Sequence, residues 1–263
     1  MKTEPKIAIV VFDIDGVVRD VSGSYRRAIA DTVEKFTDGS YRPTIEDIDE
    51  LKTEGIWNND WQASQELVYR YYESQSLARE KVSLSYEAIV DFFQKRYRGS
   101  SDDFDGYITD EPLLMSARYL EYLTQHNIGW GFFSGATKGS AQYILQKRLG
   151  LQQPVLVAME DAPGKPNPTG LFDAVKQITK QQSNIPVIYV GDTVADMQTV
   201  VAARKLRSLN AWIGVGVLPP HVQVESKQQE YRAKLQEAGA TIVLDNVEKL
   251  NYDLIASLTS LKL

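Results

Sequence analysis

Two carboxylates two residues apart, Asp13 and Asp15, follow the apolar run Ile7-Ala8-Ile9-Val10-Val11-Phe12. An apolar stretch that ends abruptly in Asp-Ile-Asp-Gly predicts a buried parallel strand with both acids at its C-terminal mouth. Alternate residues of a strand point the same way, so the two side chains can face one site. Negative charges this close repel, and a cation, a shared proton or a substrate has to compensate. Asp and Gly also favour turns, but a turn alone does not require paired acids. Other polar groups stand in the same position on other apolar runs. Ser134-Gly135-Ala136-Thr137 follows Ile128 to Phe133. Gly164-Lys165-Pro166-Asn167-Pro168 comes shortly after Pro154 to Met159. Gly191-Asp192-Thr193-Val194-Ala195-Asp196 follows Pro186 to Val190.

The elements that must position these groups alternate along the chain. Further β-like runs cover 211–217 and 241–244, and helical patterns cover 113–125, 140–149, 171–179, 195–205, 224–238 and 247–258. Alternation of this kind predicts an α/β protein with a Rossmann-like parallel sheet covered on both faces. Ligands of such sheets bind beyond the carboxyl ends of the strands, where all the polar groups named above lie. Residues 18–111 break the pattern. Helical spacing of apolar and aromatic residues runs through 25–36, 61–74 and 85–97, and 98–110 is a Gly-, Ser- and Asp-containing return. We expect a core of residues 1–17 and 112–263 and an inserted helical domain of 18–111.

With 263 residues the chain can bury a large core, and 43% hydrophobic with 24% charged residues is ordinary for a soluble protein. A net charge of −6 argues against nucleic acid and anionic membranes as partners. The absence of cysteine excludes disulfides, thiolate zinc sites and a cysteine nucleophile. The N-terminal apolar run is too short for a signal-peptide core or a membrane span, so a cytoplasmic location is expected. The oligomeric state is not legible. No Gly-x-x-x-x-Gly-Lys-Ser/Thr motif accompanies Lys165, so its loop is not a nucleotide-binding P-loop.

Asp13-Ile14-Asp15-Gly16-Val17, Ser134, Lys165 and Gly191-Asp192-x-x-x-Asp196 resemble, in order, the four motifs of the haloacid dehalogenase superfamily. The insertion is similar to the helical cap of its subfamily I, which includes phosphoglycolate phosphatase-like and β-phosphoglucomutase-like proteins. The resemblance implies a Mg2+-dependent phosphatase acting on a small phosphorylated metabolite. Asp13 is then the nucleophile that forms an aspartyl-phosphate, and Asp15 the general acid and base. Asp13, Asp192 and the Asp15 backbone carbonyl hold the cation, with Asp196 behind them. Ser134 and Gly135 bind phosphate oxygens, and Lys165 supplies fixed positive charge. An acid at position 15 points to an alcohol leaving group, because relatives that release halide lack it. Val17 departs from the frequent threonine.

Specificity is expected from the cap, above all from 51–61, where Lys52, Gly55, Asn58 and Asn59 are candidate substrate contacts. The competing reading is that Asn58 to Asp60 only cap the following helix. Arg19, beside a hinge at Val18 to Asp20, is a candidate phosphate or substrate contact. Glu160 and Asp161 are expected to face their own loop or to stand behind the metal ligands rather than to bind the metal directly, and His126 and His221 to pack or face solvent. A phosphomutase would use the same core and return the phosphoryl group to its substrate. An idle binding module is the third reading, disfavoured because every motif residue is present.

Overall fold

The computed structural model describes residues 6–54, 56–57, 59–100, 104–179, 184–207, 211–223 and 225–260. The chain divides into two compact units, Met1–Asp20 with Pro112–Leu263, and Val21–Glu111. Strand β1 (Ala8–Phe12) opens the first unit, and every one of its residues is buried. Burial on both faces is what a continuous apolar run without alternation encodes.

The second unit is helical, with α1 (Tyr25–Phe36), α2 (Ile45–Thr53), α3 (Asp60–Ser74) and α4 (Tyr86–Tyr97). Helix α2 is absent from the sequence-based expectation. Its signal was local: Thr44 accepts from the Asp47 backbone N–H while the Asp47 side chain accepts from the Thr44 N–H, a capping box. The tyrosine-rich face of α3 packs within this unit. Tyr71 stacks on Tyr41 with ring centroids 5.5 Å apart, and the Tyr72 hydroxyl donates to the Phe36 carbonyl.

The chain then returns to the first unit through α5 (Ala117–Gln125), β2 (Ile128–Phe133) and α6 (Lys138–Gln142), which runs on as a π-helical segment over Tyr143–Arg148. There follow β3 (Leu156–Val157), α7 (Thr169–Thr179), β4 (Val187–Gly191), α8 (Val194–Leu206), β5 (Trp212–Val217), α9 (Glu225–Glu237), β6 (Ile242–Leu244) and α10 (Tyr252–Ser260). The sheet order is β3-β2-β1-β4-β5-β6, and every neighbouring pair is parallel. Strand β1 therefore sits between β2 and β4, which places the ends of those three strands side by side. On one face, Ile9 and Val11 of β1 and Val187 and Tyr189 of β4 pack with Leu171, Ala174 and Ile178 of α7 and with Val200 and Ala203 of α8.

Two boundaries differ from the sequence pattern for identifiable reasons. Helix α5 starts at Ala117 rather than at 113, because the preceding residues are used elsewhere. Leu114 donates its N–H to the Val18 carbonyl and Asp20 donates to Pro112, both at 2.8 Å, and Leu113 bridges Arg19. The same bonds tie Val18 to Asp20 into the first unit, although the sequence reading grouped them with the insertion. Strand β3 is shorter than 154–159. Proline 154 has no N–H to donate, and the Ala158 N–H is taken by the Asp161 side chain at 3.1 Å, which turns the chain away from the sheet. No helix among the described residues is long and apolar enough to cross a membrane.

Candidate active site

The Asp13 N–H donates to the Val190 carbonyl at 2.8 Å, so the residue continues the β1 ladder just past the last paired position, Phe12 to Val190. Its side chain is 7% exposed. At the neighbouring end of β4, Asp192 is nearly as buried and Asp196 is wholly buried. Carboxylate oxygens of these three residues lie within 4.8 Å of one another. Lys165 enters from the loop after β3. Its ammonium lies 2.9 Å from Asp13 Oδ1 and 2.6 Å from Asp196 Oδ1. It also lies over the rings of Phe133 and Tyr189, at 5.5 and 5.6 Å from their centroids.

Two close approaches bring the loops together, and both require glycine. Gly16 has a positive φ of 74°, and a Cβ there would lie 2.1 Å from Asp192 Oδ2. A Cβ on Gly191 would lie 2.3 Å from the Cβ of Asp196.

Asp196 has its oxygens committed. Oδ1 accepts from the Tyr189 hydroxyl at 3.0 Å as well as from Lys165, and Oδ2 accepts from the Thr193 N–H at 3.0 Å and from its hydroxyl at 2.6 Å. Thr193 in turn caps α8 by accepting from the Asp196 N–H. Asp196 thus closes a capping box and holds Lys165 in place. Asp13 and Asp192 are the carboxylates left to face a ligand. The contact between Lys165 and Asp13 Oδ1 is a buried ion pair at 2.9 Å.

The electrostatics follow from burial. Asp13 is pushed up to about 7, first by desolvation and then by Asp196 and Asp15, with Lys165 opposing. Asp192 is pushed well above the usual carboxylate range by burial, Asp196 and Asp13, again against Lys165. Burial works to strip the proton from Lys165, but Asp13 and Asp196 outweigh it and hold the amine above its ordinary value. When all three carboxylates are ionised, the one ammonium leaves an excess of negative charge in a buried site. A hard divalent cation with oxygen ligands fits that excess, and Asp13 and Asp192 are the side chains that would hold it.

Ser134 is buried just past the end of β2, where its N–H donates to the Val157 carbonyl at 3.0 Å. Its Oγ accepts from the Ala136 N–H at 3.1 Å, which leaves the hydroxyl proton to be donated to a ligand. A Cβ built on Gly135 meets nothing within 4 Å, so that backbone borders open space. The Asp15 side chain is 41% exposed, and its Oδ1 is held by Arg19. Arg19 is therefore turned toward Asp15 rather than standing as a free phosphate contact. Glu160 receives the Lys138 N–H at 2.9 Å at the start of α6, and Asp161 pairs with the Lys138 ammonium at 2.8 Å. Both acids serve their own loop. His126 packs between Tyr122 and Tyr252.

Lys52 and Asn59 belong to the second unit. The Lys52 ammonium pairs with Asp60 at 2.5 Å, and Asn59 Oδ1 caps α3 by accepting from Trp61 and Gln62. The capping role weighed for Asn59 is the one it performs here. Gly55 and Asn58 lie outside the described residues. Sequence reading missed Tyr189, a strand residue hidden in an apolar run, and missed the partnership of Arg19 with Asp15. The i, i+4 spacing was the available signal for the second, but it carries weight only on a helix.

A sequence model of the haloacid dehalogenase-like hydrolases matches residues 7–204. The chain belongs to that family, and the site at the ends of β1, β2 and β4 lies in the matched region. A curated relative from Phytophthora nicotianae, named imidazoleglycerol-phosphate dehydratase, is 31% identical over 244 residues, covering 90% of this chain. The chain spans about half the length of that relative, 50%. Among solved structures, phosphatase Tt82 from Thermococcus thioreducens superposes with a TM-score of 0.64 at 21% identity, covering 96% of this chain and 99% of that one. A phosphonoacetaldehyde hydrolase-like protein from Oleispira antarctica gives 0.66 at 16% identity, covering 98% and 96%. A family IA hydrolase from Entamoeba histolytica gives 0.64 at 15%, covering 97% and 99%. At these identities the structures establish a shared fold.

Proposed function

We propose that the protein is a Mg2+-dependent phosphatase that hydrolyses a small phosphomonoester through an aspartyl-phosphate. The observation that carries this reading is the meeting of Asp13, Asp192 and Lys165 at one buried mouth. A carboxylate can attack a phosphate dianion only where positive charge offsets their repulsion, and Lys165 provides part of that charge at 2.9 Å from Asp13. Mg2+ held by Asp13, Asp192 and the Asp15 carbonyl would supply the remainder by neutralising the phosphoryl oxygens.

The residues divide the work. Asp13 Oδ forms a bond to phosphorus as the ester P–O bond breaks, and Asp15 gives its proton to the departing alkoxide. The Asp15 carboxylate then takes a proton from the water that attacks phosphorus, which releases orthophosphate and frees Asp13. Ser134 and the Gly135 N–H hold phosphate oxygens, and Asp196 with Tyr189 keeps Lys165 aimed at Asp13. Val21–Glu111 is the cap that selects the leaving group.

Orthophosphate release from a panel of phosphomonoesters, with Mg2+ and with a chelator, tests this. Sugar phosphates, phosphoglycolate, amino-alcohol phosphates and an imidazole-bearing phosphate belong in the panel, the last because of the name of the Phytophthora relative. Turnover that requires Mg2+ and is lost by about 10³-fold or more in Asp13→Asn is expected. Isomer formation without orthophosphate would replace hydrolysis by a phosphomutase, and silence across the panel would replace it by a binding module.

A further inference from the structure

Arg19 is fully buried and is the largest side chain among the described residues to be so. Its Nε lies 2.7 Å and its terminal nitrogen 2.6 Å from the same atom, Asp15 Oδ1. The turn that brings the two residues together is closed by backbone bonds alone: Val18 and Arg19 donate to the Ile14 carbonyl at 2.7 and 3.2 Å, and Gly16 donates to the Arg19 carbonyl at 2.9 Å. An apolar side chain at position 19 would leave every one of those bonds intact.

A stabilising ion pair does not explain the arginine. Taking a guanidinium out of water is costly, and an apolar residue of similar volume serves a fold at least as well. Asp15 is 41% exposed and needs no internal partner to remain solvated. What the pair does accomplish is geometric. Two donors from a planar fork converge on one oxygen and restrain where that oxygen sits. The other oxygen, Oδ2, makes no hydrogen bond among the described residues. One oxygen is held by the guanidinium, and the side chain that carries the other is 41% exposed.

We propose that Arg19 is the positioning residue of Asp15: by holding Oδ1 it presents Oδ2 to the leaving-group oxygen, and so sets how well the protein expels unactivated alkyl alcohols. This rests on the reading of Asp15 as general acid. The step is a single proton transfer, from Asp15 Oδ2–H to the ester oxygen as its bond to phosphorus breaks. An aryl oxide with a low pKa leaves without that proton, so it reports chemistry that does not depend on the alignment of Asp15.

The test compares kcat/KM for an alkyl and an aryl phosphate in wild type, Arg19→Lys, Arg19→Met and Asp15→Asn. Arg19→Met is expected to lose about 30-fold on the alkyl ester and less than about threefold on the aryl ester. Arg19→Lys keeps the charge without the fork, and a loss of about tenfold confined to the alkyl ester is expected. Lysine fills most of the same space, so this variant decides the matter even where Arg19→Met does not fold. Equal losses on both esters in Arg19→Lys, or none on either, overturn the proposal. Asp15→Asn separates the two levels: if it is selective for the alkyl ester and Arg19→Lys is not, only the role of Arg19 falls. If Asp15→Asn is itself unselective, the acid reading falls and this inference with it.

Discussion

Asp13 sits where burial makes the protein sensitive to pH. Its carboxyl is held at about 7, against an ordinary 3.8, chiefly by burial. Between those values the folded state keeps a proton that the unfolded chain has lost. Folding is therefore favoured at the acid end of the window, and that contribution is lost as pH rises toward 7. Asp192 is shifted in the same direction and adds to the trend. Metal-free protein is expected to lose stability between pH 5 and pH 7.5 in urea titrations, and Asp13→Asn to flatten the decline. An unchanged slope in that variant would show that Asp13 titrates normally in the folded state. The residue scale also shows where sequence reading stops. The spacing of Asp13, Asp15, Lys165 and Asp192 was legible because each acid or base ends an apolar run. The division of labour between Asp192 and Asp196 was not. It depends on Tyr189, Thr193 and Lys165 occupying the Asp196 oxygens, a set of contacts that no linear pattern records.

Strands and turns deliver these groups, and the turns carry the tighter tolerances. Gly16 follows the β1 acids with a φ of 74° and leaves no room for a side chain, since Asp192 Oδ2 lies 2.1 Å from the position of its Cβ. Gly16→Ala combines backbone strain with a clash against the Asp192 carboxylate, which would have to move. Expected outcomes are a loss of about 1–3 kcal/mol in chemical denaturation and a drop in phosphate release larger than that destabilisation explains. Alanine tolerated with full activity would mean that the β1 and β4 loops are further apart than described. The strands themselves were readable because parallel strands buried on both faces are continuous apolar runs, as Ala8–Phe12 is. The missed helix, Ile45–Thr53, carries only Ile45, Ile48 and Leu51 at helical spacing, a short pattern, and its capping box was the second signal. The edge strand, Leu156–Val157, was overextended because the Asp161 side chain, not an apolar pattern, decides where it ends.

At the level of the whole molecule, the proposed cation binding would be linked to folding. Asp13 and Asp192 repel in the metal-free protein, and a divalent ion relieves that repulsion only when both are ionised. At a Mg2+ concentration 100 times its dissociation constant the gain is about 2.7 kcal/mol, or roughly 5 °C in Tm for a chain of this size. Thermal scans are expected to show that shift at pH 7.5, a much smaller one at pH 5, and none in Asp192→Asn. An equal shift in the variant would place the ion elsewhere. The stem through which the helical unit is threaded has a different consequence. Asp20 bonds to Pro112 and Leu114 to Val18, so the chain is zipped shut at the point where it departs and comes back. Everything beyond that zip is an excursion that the sheet does not need in order to close.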